Sequence, residues 1–110
     1  MSMLKNAIDK EKTRNINMII EYQKELEQLP KGKITPKKVN GNIYYYLYYR
    51  DGNKVISKYI GKNSESLKEI EIQLERRSQI EVILKQLKKE KEKILKLEAL
   101  LWYYIMEVIW

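Results

Sequence analysis

The apolar positions along the chain follow three rhythms, and each predicts a different element. Between residues 3 and 28, Leu4, Ile8, Ile19, Tyr22 and Leu26 recur at three- and four-residue steps or sums of such steps, with Leu29 just beyond. That spacing lines one face of an α-helix. Lys and Glu pairs occupy the opposite face, and Pro30 and Gly32 end the element. From residue 64 to 108 the step becomes seven. Ile80, Leu87, Ile94, Leu101 and Val108 repeat in heptads, and Leu84, Leu97 and Ile105 add to a second seam that Lys91 and Glu98 interrupt. No Gly or Pro follows Gly61. The pattern predicts a long, coiled-coil-like helix, with Ser64 as its N-cap and Glu65 and Glu69 in or near its first turn.

Between the helices the rhythm is two. Asn40-Gly41 and Asp51-Gly52 separate three β-rich runs, 33–39, 42–50 and 53–60. Both dipeptides are two-residue hairpin signals. The run from Ile43 to Tyr49 is dense in strand formers, and Pro36 suits an edge strand. The expectation is a three-stranded antiparallel meander. With Asn40-Gly41 at the first turn, Lys38 opposes Ile43 and Lys37 opposes Tyr44. With Asp51-Gly52 at the second, Tyr49 opposes Lys54, Leu47 opposes Ile56 and Tyr44 opposes Tyr59. One face then carries Ile34, Pro36, Ile43, Tyr45, Leu47, Tyr49, Ile56 and Ile60, rimmed by Lys38, Lys54 and Lys58. The other carries Lys33, Thr35, Lys37, Tyr44, Tyr46, Tyr48, Arg50, Val55, Ser57 and Tyr59. A one-residue slip would exchange the faces.

The expected fold is therefore α+β and a single domain over 1–110: a helix within 1–30, a basic sheet within 31–62 and a long helix within 63–110. The first helix spans ~39 Å and the second ~66 Å at 1.5 Å per residue. Some 27 Å of the second, including its apolar end, would then lie beyond the first. That end either folds back or is covered by another copy. The unbroken heptad favours self-association, with Ile94, Leu101, Trp102, Ile105, Val108 and Trp110 as contacts.

Composition narrows the chemistry. The 110 residues include no Cys, no His and no Phe, but nine Tyr. Disulfides and cysteine-based metal sites are excluded, and the commonest general base and metal ligand is missing. The four glycines, Gly32, Gly41, Gly52 and Gly61, are spread as turn residues and form no phosphate-binding loop. No catalytic residue, metal or cofactor is expected, so the chain reads as a non-enzymatic binding protein. Residues 1–6 lack a signal-peptide pattern. The apolar stretch 99–110 is too short for a bilayer, which takes ~20 helical residues. A cytoplasmic location without membrane association is expected.

Charge then picks out one segment. Residues 1–30 carry five basic and five acidic side chains, and residues 63–110 carry nine of each. Residues 31–62 carry eight basic residues against Asp51 alone, and hold six of the nine tyrosines. The whole net charge of +7 thus belongs to the predicted sheet. A local positive field attracts polyanions, and tyrosine rings can stack on unpaired bases. A narrow antiparallel sheet can alternatively enter a major groove. Nucleic acid, DNA or RNA, is the expected partner, with Lys33, Lys37, Lys38, Tyr44, Tyr46, Tyr48, Arg50, Lys54, Lys58 and Tyr59 as contact candidates.

The stretch from Gly41 to Lys62, with its Tyr-rich strand, its turn and the ending Ser57-Lys58-Tyr59-Ile60-Gly61-Lys62, resembles small uncharacterised prokaryotic proteins associated with mobile elements. It is also similar to the three-stranded arm-binding modules of tyrosine recombinases, which lay a sheet on DNA with a helix behind. The resemblance implies a DNA-facing sheet without recombinase catalysis, and suggests Lys37, Tyr44, Tyr46, Tyr48, Arg50 and Lys58 in particular. A rival expectation is a protein-interaction module or inhibitor. It would dock its basic sheet on a nucleic-acid enzyme, such as a defence nuclease of the CRISPR kind.

Overall fold

A computed structural model describes residues 2–62 and 64–109. Its elements are α1 (Ser2–Gln28), β1 (Lys33–Val39), β2 (Asn42–Asp51), β3 (Lys54–Gly61) and α2 (Ser64–Ile109). The fold is α+β, with a three-stranded antiparallel sheet between two helices in the sequence. The 46 residues of α2 form one uninterrupted helix, so its apolar end does not fold back. The cap expected from the Ser64 side chain and the contact expected from Trp110 lie outside the described residues.

The chain divides into two compact units, one of residues 1–26 with 80–110 and one of residues 27–79. In the helical unit the heptad seam is the core. Ile80, Leu84, Leu87, Ile94 and Leu101 are buried on α2, and Ile80 is wholly inaccessible. The α1 stripe supplies half-buried Ile8, Ile16, Ile19, Tyr22 and Leu26. Midway along that stripe stands a polar residue, Asn15, only 1% exposed. Its Nδ2 donates to the Leu87 carbonyl at 2.9 Å, while Oδ1 has no partner. One turn earlier, Lys12 Nζ lies 3.1 Å from both carboxylate oxygens of Glu98. Glu98 interrupts the α2 seam, and Lys12 occupies the matching place on α1, so the interruption is answered by an opposite charge. Arg14 reaches Glu90 at 2.6 Å and Glu11 at 3.2 Å.

These contacts run α1 antiparallel to α2. Near the start of α1, Lys5 and Ile8 share a crevice with Leu101, Trp102 and Ile105. The first helix is therefore paired with the apolar end of α2, the part that length arithmetic leaves bare. Two expected partner contacts are corrected accordingly. Ile94 and Leu101, each 8% exposed, are buried within the chain itself. Ile105 is half-buried, whereas Trp102 and Val108 stay open at 54% and 65%.

In the second unit, Leu47 is the buried centre of one face of the sheet, 4% exposed. Half-buried Ile34, Tyr45, Tyr49 and Ile56 lie on that same side by alternation. The α2 residues of this unit present half-buried Leu67, Ile70 and Leu74 at three- and four-residue steps, the spacing of an inward helical stripe. Arg77 donates to the Leu29 carbonyl at 3.2 Å, tying this part of α2 to the segment that leads into β1. Gly32 lies in that segment with φ +119°, and a Cβ there would meet the Tyr48 carbonyl oxygen at 2.2 Å. Only glycine fits so close to β2.

Candidate functional site

The two turns fix which side chains share a face. Asn40 and Gly41 both have positive φ, 51° and 82°, as a type I′ hairpin requires. The register of β1 on β2 follows as expected, with Lys37 opposite Tyr44 and Lys38 opposite Ile43. The second turn differs. Asp51 pairs with Lys54, so Gly52 and Asn53 are its central residues. Gly52 has φ +62° and Asn53 is not among the positive-φ residues, the type II′ pattern with glycine first. Moving the turn by one position shifts the register by two. Tyr49 opposes Ile56 rather than Lys54, Leu47 opposes Lys58 rather than Ile56, and Tyr59 opposes Tyr46 rather than Tyr44. A two-residue shift keeps every side chain on its side of the pleat, so the membership of the two faces survives as far as Tyr59, and only Ile60 falls outside the alternation.

A bulge then accommodates the end of β3. Tyr46 pairs with Tyr59 and Tyr45 with Gly61, leaving Ile60 as the extra residue. Lys62 Nζ bonds Asn42 Oδ1 at 3.0 Å, holding the end of β3 to the start of β2.

The polar face can be described in rows across the strands. Lys33, Tyr48 and Ser57 form one row, and Thr35, Tyr46 and Tyr59 the next. Lys37 and Tyr44 form a third, and Arg50 pairs with Val55 at the far end. The rings touch one another. Tyr46 and Tyr59 have centroids 5.4 Å apart, Tyr44 and Tyr59 6.3 Å, and Tyr46 and Tyr48 6.4 Å, with interplanar angles of 46° to 57°. These separations fall within the ~4.5–7 Å range of interacting aromatic pairs, with angles between the stacked and edge-to-face arrangements. Lys37 Nζ stands 5.9 Å from the Tyr46 centroid, within cation–π range. The rings of β2 are half-buried in this mutual packing, Tyr59 is 54% exposed, and Lys33, Lys37 and Arg50 are exposed. Asp51, the one acidic residue of the segment, belongs by alternation to the opposite face. The cations of the tyrosine face thus have no carboxylate among the strand residues beside them.

The candidate residues therefore separate. Lys33, Lys37, Tyr44, Tyr46, Tyr48, Arg50 and Tyr59 are brought together on one face. Lys38, Lys54 and Lys58 are exposed on the other, beside the strand positions around Leu47. Thr35 and Ser57 share the tyrosine face and add hydroxyls to it; strict alternation is the signal that finds them.

A family model matches residues 2–69. The chain belongs to the family described as a domain of unknown function, DUF6788. The DUF6788 match includes α1, the whole sheet and the first turns of α2, and so contains every residue of the tyrosine face. No curated protein and no solved structure matches the chain. Among the described residues no helix is long and apolar enough to cross a membrane, and no cluster of acidic side chains could hold a metal ion.

Proposed function

We propose that the tyrosine-rich face of the sheet is a nucleic-acid-binding surface and that the protein acts by binding rather than by catalysis. The observation that carries this reading is the continuous cluster of Tyr44, Tyr46, Tyr48 and Tyr59 with Lys33, Lys37 and Arg50 around it and no carboxylate on the same strand face. The tilted rings offer several separate apolar faces rather than one flat platform, and each base stacked on such a ring is worth ~1–3 kcal/mol. The flanking cations would neutralise phosphates and release their counterions, which makes affinity fall with salt. Alternate residues of β2 stand about 6.8 Å apart, so three rings follow one another along a single strand of the sheet.

The test is titration of the protein into labelled single-stranded and double-stranded DNA and RNA at two salt concentrations. Binding at micromolar protein that weakens sharply with salt supports the proposal. A preference for single strands assigns the affinity to stacking, and a preference for duplex assigns it to groove docking. A folded protein that binds none of these at low salt rejects it.

A further inference from the structure

We infer that the open end of the helical unit is a self-association surface, and that its occupant is the same end of a second copy of this chain. On α2, the stretch between Glu98 and Glu107 contains no charged residue. Leu101 there faces α1 and is buried, but its neighbours are not. Leu100 is 64% exposed, Trp102 54%, Tyr104 60% and Met106 58%. At 3.6 residues per turn, Leu97, Leu100 and Tyr104 fall on one flank of the buried seam and Leu95, Trp102 and Met106 on the other. The helix is thus apolar on both sides of the face that α1 already covers. A helix that is apolar all round is a buried one, and one with apolar flanks beside its first partner has the pattern of a four-helix bundle. At the same end, Met3 at the start of α1 is 83% exposed.

A lipid surface does not fit these flanks. The uncharged stretch of α2 is about 12 Å long, too short to span. Helices that lie in a bilayer interface keep a polar face rich in Lys and Arg, whereas the charges that border this stretch are Glu98 and Glu107. A second copy does fit. Residues 1–26 and 80–110 carry eleven basic and nine acidic side chains, so two such units meet with little like-charge repulsion. Most of the protein's +7 belongs to the other unit. Leu100, Trp102, Tyr104 and Met106 are each more than half exposed, so a second copy that covers them removes large apolar side chains from water. A two-fold dimer uses one patch twice, so a single exposed end suffices.

Light scattering on the purified chain tests the inference, with Leu100→Glu and Tyr104→Glu combined as the breaking variant. The parent is expected at twice the 13.3 kDa of one chain. The variant is expected as a monomer, with at least tenfold weaker association and unchanged helical circular dichroism. Should the double variant lose its helical signal, Leu100→Gln alone serves as the milder break. Lys85→Glu, outside the patch, is the control that keeps the dimer. A parent monomeric at micromolar concentration, or a parent dimer that the breaking variants leave intact, overturns the inference. So does a parent that stays monomeric while pelleting with vesicles of phosphatidylcholine and phosphatidylglycerol. None of these readouts involves nucleic acid.

Discussion

The helical unit and the sheet unit are built on opposite terms. Residues 1–26 and 80–110 bury a seam of Ile and Leu, and opposite charges on the two helices are matched, as at Lys12 and Glu98. In the sheet unit Leu47 is the one strand residue buried to that degree, while the opposite face carries cations and touching rings with no carboxylate beside them. The first arrangement spends its side chains on its own stability. The second leaves Lys33, Lys37 and Arg50 without a carboxylate among the strand residues beside them, a local excess of positive charge on which the proposed binding surface rests.

Substitutions can break or sharpen that contrast. The largest effect is expected at Ile80, wholly buried in the helical seam. Ile80→Ala should cost about 2–5 kcal/mol in chemical denaturation, with nucleic-acid affinity unchanged where the protein is folded. In the sheet unit the comparable break is at Gly32. Gly32→Ala places a Cβ against the Tyr48 carbonyl and should cost about 2–4 kcal/mol. Because Tyr48 lies on the proposed binding face, the same change should also weaken binding. Arg50→Glu, at an exposed position, should leave the denaturation midpoint nearly unmoved and reduce affinity at low salt about tenfold, some 1.4 kcal/mol. If it instead destabilises the fold and leaves affinity alone, the contrast between the units fails.

The smallest effect is expected at Asn15, and its sign is the informative part. The Asn15 Oδ1 is buried without a partner, and such a group costs ~1–3 kcal/mol. Asn15→Leu forfeits the bond to Leu87 but removes that penalty, and should raise the thermal midpoint by the equivalent of about 1 kcal/mol. A buried polar residue in a helical seam can instead hold register. Light scattering and circular dichroism of the same variant would show whether the gain comes with a loss of unique pairing.

How far the chain could be read beforehand differs between the units for physical reasons. Element types and most boundaries follow from periodicity, because the heptads and the Tyr-rich alternation are long and uninterrupted. The register of β1 on β2 was legible because Asn-Gly permits positive φ at both central positions. At the second turn Asp51-Gly52-Asn53 offers two ways to place two residues. Gly52 alone takes positive φ, so Gly52-Asn53 is the loop. The face assignment survived since the shift was even. The Asn15 core position lies on the stripe Ile8, Lys12, Asn15, Ile19, Tyr22, but a count of apolar residues passes over it. Pairing was the harder matter. Helix lengths alone did not say which part of α2 receives α1; the match of Lys12 to Glu98 across the two seams carries that information.

The central claim is that the tyrosine face binds nucleic acid through its own cations. It is tested most directly by the salt dependence of binding in the parent and in Lys33→Glu/Lys37→Glu. Three cations on the face predict a slope of log affinity on log salt of about −2 for single strands and nearly −3 for duplex. The account predicts this slope for the parent, and a shallower slope with at least tenfold weaker low-salt binding for a variant that keeps its circular dichroism. Equal slopes and equal affinities for two folded proteins would contradict it.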